Sequence, residues 1–171
     1  MCIVIDVNTF GPVFLKSCEE HEEFEPVLDW IVSGKGKIVY GGSKYRKALE
    51  RARRYLRIFL EFKKAGKVVE VDDERVNAQQ EELENLIQHR NFDDPHIIAI
   101  VIVSGCRLVC SNDSRADQFI KMRNLYPNHV QRPKIYRGKS NSDLLCDQNI
   151  AKICEPCHRL PKHVVLTLMP Q

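Results

Sequence analysis

The sequence predicts an α/β domain, a three-layer α/β/α sandwich around a central, mostly parallel sheet. Short β-branched apolar runs alternate with helical stretches along the chain, the pattern of strand–helix–strand units. Acidic and amide residues fall where these runs begin or end: Asp6 and Asn8 after Cys2-Ile3-Val4-Ile5, Asp94 ahead of Pro95-His96-Ile97-Ile98-Ala99, and Asp113 after Arg107-Leu108-Val109-Cys110-Ser111-Asn112. Parallel α/β sheets gather ligands at the carboxyl ends of their strands. At 171 residues the chain suits one domain with a substantial core. We expect it to occupy residues 1–140, with 141–171 as an extension packed on it or trailing from it.

Taken in order, residues 2–6 read as a short buried strand. Residues 24–33, through Pro26 and Trp30-Ile31-Val32, read as a helix stopped by Gly34. Lys37-Ile38-Val39-Tyr40 is a second strand, ended by Gly41-Gly42, and Ser43 is placed to cap the next helix. There Tyr45, Leu49, Ala52, Leu56, Phe59 and Leu60 follow helical spacing, with Lys and Arg opposite, until Gly66. Val68-Val69-Glu70-Val71 is a third strand, and 73–90 an acidic helix. Residues 96–103 are ambiguous: β-branched richness favours a buried strand, yet Asp94-Pro95 and Gly105 bracket a helix. Propensity alone tips towards strand. Residues 107–111 form another strand, 114–125 a helix and 134–136 a short strand. Residues 141–153 fit a helix, and Val164-Val165-Leu166-Thr167-Leu168 an edge strand.

Hydrophobic content of 43% and charged content of 29% are ordinary for a globular protein. The apolar start is interrupted by Asp6, too early for a signal peptide, and no run is long enough to span a membrane. Seven cysteines, mostly inside apolar runs, argue against a disulfide framework and for a reducing cytoplasm. The net charge of +3 conceals strong asymmetry. Residues 43–67 are basic, 70–94 acidic, and 115–139 basic again through Arg115, Lys121, Arg123, Arg132, Lys134, Arg137 and Lys139. Basic stripes beside clustered carboxylates suit a polyanion gripped while a divalent cation acts on it; solvated helix faces are the plainer explanation.

The opening Ile3-Val4-Ile5-Asp6-Val7-Asn8 resembles that of PIN-domain nucleases, a strand delivering Asp-x-Asn. Asp94-Pro95-His96-Ile97-Ile98-Ala99 resembles their Asp-x-x-Ile-x-Ala helix start, and Leu108-Val109-Cys110-Ser111-Asn112-Asp113 their late strand. The resemblance covers roughly residues 1–126 and favours a buried helix at 95–104. It implies a Mg²⁺- or Mn²⁺-dependent endoribonuclease like the VapC-type toxins of toxin–antitoxin pairs. RNA would be its substrate, and a protein antitoxin and a second copy its partners. By position Asp6, Asp94 and Asp113 would be metal ligands, with Asn8 and Ser111 in support.

One position departs from the family. The glutamate usually found after the second strand falls at Ala48, either because the chain is a natural inactive member or because residue 48 was altered. Glu50 does not substitute: two residues turn a helix by about 200°. Asp117, one turn after Asp113, is a further candidate ligand. Asp93, Asp72 and Asp73 read as helix-start carboxylates; His96 could face the cleft, but a plain surface histidine is the simpler reading. The tail residues Cys146, Cys154, Cys157 and His158, near His163, offer donors for a structural zinc. Cys154-Glu155-Pro156-Cys157-His158 also matches a c-type haem attachment motif, but ordinary thiols explain it more simply. The alternatives are a catalytically silent PIN-like module binding RNA or protein, and a flavodoxin- or receiver-like signalling domain. Nothing here supplies the late strand–Lys arrangement that the second requires, and Gly34-Lys35-Gly36-Lys37 lacks phosphate-loop spacing.

Overall fold

Cys2, Ile3, Val4 and Ile5 form strand β1 (Cys2–Ile5), and none of the four has any solvent exposure. Side chains of a strand alternate between the two sheet faces, so both faces of β1 are covered. Its neighbours are β2 (Lys37–Tyr40) and β4 (Leu108–Cys110); β3 (Val68–Glu70) and β5 (Lys134–Tyr136) lie outside them, giving the order β3-β2-β1-β4-β5. Every pairing is parallel, so the sheet is wholly rather than mostly parallel. The computed structural model describes residues 2–168. No helix among them is long and apolar enough to cross a membrane.

Helices α1 (Phe10–Phe14), α2 (His21–Val32) and α4 (Arg53–Lys64) pack together. A second group comprises α5 (Asp73–Leu86) and α6 (Pro95–Ser104), with α6 against β1 and β2. Helix α3 (Ser43–Arg51) touches α4, α5 and α6. The arrangement is consistent with three layers.

The ambiguous segment is the helix α6, with Pro95 in its first turn and Gly105 left-handed at its end (φ +67°). Each β-branched residue costs a few tenths of a kcal/mol in a helix. Burying an Ile or Val contributes about 1.5–3 kcal/mol, and eight of the ten residues are buried. Burial wins.

The long amphipathic stretch is not one helix. Ala52 (φ −84°, ψ 50°) breaks it into α3 and α4. In a straight helix Tyr45 and Phe62 would point about 100° apart; with the break both are fully buried, and Leu60, expected inside, is 45% exposed. Nor does Ser43 cap α3. The cap position is Gly42, and α5 reaches across instead: Gly42 N donates to Asp73 Oδ1 (2.7 Å) and Ser43 N to Asn77 Oδ1 (2.8 Å). Asp72 caps α5 through Arg75 N (2.8 Å), the helix-start role expected of it.

Three further expectations change. Residues 114–125 hold only α7 (Asp117–Ile120) and a 3-10 turn at Arg123–Leu125. Residues 141–153 are successive 3-10 turns. The expected edge strand at 164–168 is helix α8 (Lys162–Leu168), which begins after Pro161 and packs against α4. The C-terminal segment belongs to the body of the protein. Ala151 and Cys154 are buried in the core. Lys37 Nζ donates to Pro156 O (2.8 Å), and the buried Lys67 donates to Gly34 O (3.0 Å) and His158 O (2.9 Å). Burial lowers the Lys67 pKa to about 8.

The turn from β2 into α3 depends on Gly42, whose φ of +82° and ψ of 149° suit glycine alone, and where a Cβ would sit 2.5 Å from Val76. Gly42→Ala is expected to lower stability by about 2–4 kcal/mol in urea denaturation; a loss under about 0.5 kcal/mol would refute this account of the turn.

Candidate functional site

Because all five strands run the same way, their carboxyl ends share one edge. The chain moves from β1 through β2 to β3 on one side, then crosses to β4 and β5 on the other. The reversal lies between β1 and β4, where open α/β sheets form their ligand crevice. Asp6 follows β1 there and Ser111 follows β4.

Asp6 is 5% exposed and held from several directions. Its backbone N donates to Cys110 O (2.9 Å), continuing the β1–β4 ladder. Asn8 N donates to Asp6 Oδ1 (3.1 Å) and Ser111 Oγ to Asp6 Oδ2 (3.2 Å). Thus Ser111 supports Asp6 through its hydroxyl, whereas Asn8 does so through its backbone. Thr9 Oγ1 ties Asp6 O (2.7 Å) to Cys110 O (3.3 Å). From α3, Tyr45 Oη donates to Ile5 O (2.6 Å).

Asp6 opens onto a cleft of about 1050 Å³, joined by Asp94 and His96 from the start of α6 and by Ala48 from α3. Glu50 faces away, beside Arg53 and Leu56. The cleft also takes Lys44, Lys47 and Arg51 from α3, and Asn77, Gln80, Glu81 and Glu84 from α5. The α5 group was not legible in the sequence, because that helix read only as an acidic surface. Among the described residues the Lys47 and Arg51 side chains make no ion pair.

His96 corrects the sequence reading. It is buried, at 6% exposure, and lines the cleft instead of the outer surface. Burial, reinforced by Lys44, pushes its pKa down to about 3, so the ring is neutral at physiological pH. Burial also raises Asp94, to about 6, with Asp6 as the next contribution; Asp6 is itself raised by burial.

Asp113 and Asp117 do not line this cleft. Asp113 N donates to Ser111 Oγ (3.2 Å), which keeps it near Asp6, but its carboxylate is gripped by Arg115 (2.7 and 3.1 Å) and lies below its ordinary pKa for that reason. Asp117 pairs with Lys121 (3.0 Å) and with Arg137, which follows β5 and also donates to Asp113 O (3.1 Å). In the tail, Cys154 is buried at the far end of β1. Cys106 Sγ there meets Cys2 O (3.2 Å) and Ala151 N donates to Cys2 Sγ (3.4 Å).

Among the described residues no group of three or more His, Cys, Asp or Glu side chains converges to cage a metal ion, in the tail or at Asp6. A Mg²⁺-type ion takes one or two carboxylates directly and keeps several waters. Asp6 and Asp94 fit that limited demand. Burial raises both carboxyls, the charge of Asp6 adds to the rise at Asp94 and that of Asp113 to the rise at Asp6, and a divalent cation bound there would offset that cost.

The raised Asp94 sets a sign for stability. Its carboxylate prefers the proton in the fold, so without a cation stability falls as pH climbs from about 4 through 6. Asp94→Asn is therefore expected to stabilise the protein by about 1–3 kcal/mol at pH 7.5 in a chelator, and to change little at pH 4. Thermal melts at the two pH values measure it; destabilisation at pH 7.5 would contradict the repulsion described.

The chain matches no protein-family model, no curated protein and no solved structure.

Proposed function

We propose that the cleft is the site of a metal-dependent endoribonuclease of the PIN type, with Mg²⁺ or Mn²⁺ as cofactor. The observation that carries this reading is the placement of buried Asp6 and half-buried Asp94 together at the sheet's switch point, beside Lys47 and Arg51, which make no ion pair among the described residues. Asp6 and Asp94 would hold and orient a cation there, which would supply a water of lowered pKa and neutralise charge on the leaving oxygen of a phosphodiester. Lys44, Lys47 and Arg51 grip the phosphates on either side of the scissile bond. Ser111 and the Asn8 backbone fix the Asp6 carboxylate. This reading brings with it a toxin role, a protein antitoxin that masks the cleft, and association of two copies.

Two observations favour a second reading, a catalytically silent module that binds RNA or protein. Ala48 leaves the α3 wall without a carboxylate, and Arg115 occupies Asp113.

Cleavage of a broad RNA pool with Mn²⁺ or Mg²⁺ separates the two. Ala48→Glu is expected to raise cleavage by at least about tenfold, and adding Asp6→Asn to abolish it. Equal cleavage by the unaltered chain and Ala48→Glu would remove residue 48 from the argument; silence from every variant would favour the binding module. Arg115→Ala, by freeing Asp113, is expected to tighten cation binding about three- to tenfold in calorimetry.

A further inference from the structure

His96 enters the cleft from the first turn of α6, its side chain 7% exposed. Among the described residues its Nδ1 is buried and has no hydrogen-bond partner. Leaving such a nitrogen unsatisfied costs about 1–3 kcal/mol. The polar groups around it are already committed: Tyr45, whose ring centre lies 6.3 Å away, donates to Ile5 O, and Lys44 donates to Asp93 O. Asp94 Oδ1 stands 3.7 Å from His96 Nδ1. That is too long for a hydrogen bond. It is short enough for both atoms to touch one ion, because two donors each about 2.1 Å from a cation lie at most roughly 4.2 Å apart.

We propose that His96 Nδ1 and Asp94 Oδ1 together ligate a first-row transition ion, with Asp6 reaching it through water, so that the cleft is a mixed nitrogen–oxygen site preferring Mn²⁺ to Mg²⁺. The inference rests on the cation site of the nuclease reading and assigns it a donor which that reading does not contain. Mg²⁺ favours an all-oxygen octahedron, whereas imidazole nitrogen binds transition ions, Mn²⁺ at the weak end of the series. Metal binding requires the lone pair on Nδ1, which places the ring proton on Nε2. The imidazole also supplies a metal donor to a cleft whose α3 wall, with Ala48 at its centre, presents no carboxylate.

Pulsed electron paramagnetic resonance of the full chain loaded with Mn²⁺ tests this directly. Nitrogen modulation at the Mn²⁺ frequency is expected, changing on selective ¹⁵N-histidine labelling and disappearing in His96→Gln. Calorimetry should show Mn²⁺ affinity falling about tenfold in His96→Gln and Mg²⁺ affinity by less than about threefold. The labelling experiment needs no substitution, so it stands even if His96→Gln folds poorly. Mn²⁺ bound without nitrogen modulation, or with modulation unchanged in His96→Gln, overturns the histidine ligand and leaves an all-oxygen cation site intact. No Mn²⁺ binding at millimolar concentration overturns the cation site itself.

Discussion

The rest of the structure depends on the complete enclosure of β1. Of its four consecutive residues without solvent exposure, Ile3, Val4 and Ile5 alone contribute roughly 4.5–9 kcal/mol of burial, comparable to the whole net stability of a typical domain. That burial requires helices on both faces and parallel strands on both edges. It also fixes where the strand must stop, because the next residue is Asp6. A carboxylate at the end of such a strand is forced into a largely desolvated position, and the surrounding donors keep it there: Ser111 just after β4, the Asn8 backbone, and Thr9 bracing the turn. Tyr45 adds the same constraint from α3, so strand, turn and helix wall share one reference point.

The charge blocks resolve into two populations with different work. Arg46 bonds Asp73 (2.6 Å) and also pairs with Glu70, while Lys63 reaches Glu70 (2.7 Å) and Tyr40 donates to the same carboxylate (2.5 Å). These contacts stitch the basic helices to the acidic segment, and the three donors hold Glu70 well below the usual carboxylate range. They explain part of the alternation of sign without reference to any ligand. Lys47 and Arg51 are different, because they stand over the cleft with no such partner among the described residues. Segregation of charge along a sequence thus mixes internal bracing with exposed binding potential, and only the fold separates them.

Much of the architecture was legible because buried strands and amphipathic helices leave strong periodic traces. The strand positions at 2–5, 37–40, 68–70, 108–110 and 134–136 were all readable. Three kinds of feature were not. The break at Ala52 serves two burial demands that each look locally helical, so nothing in the spacing announces it. Residues 164–168 have strand propensity, but in the fold they are helical, with Val165 and Leu168, one turn apart, packed against the core and α8 lying on α4. At the site, Asp6 and Asp94 lie together as residue order suggested, whereas Asp113 and Asp117 are drawn off by Arg115, Lys121 and Arg137. The Asp117–Lys121 pair has helical spacing, but Arg115 on Asp113 and Arg137 on Asp117 follow no periodicity that would betray them. His96 illustrates the same limit, since one polar residue in an apolar helix start carries no mark of the direction it faces.

Lys67 gives the C-terminal segment a mechanical meaning. Its ammonium bridges Gly34 and His158 at the foot of β2 and β3, in surroundings that disfavour its charge. Peeling away residues 156–158 would strip it of one of its two carbonyl acceptors without yet returning it fully to water. Partial detachment is therefore an expensive intermediate. The tail and the foot of the sheet should open as one cooperative unit, a keystone whose removal is felt across the arch.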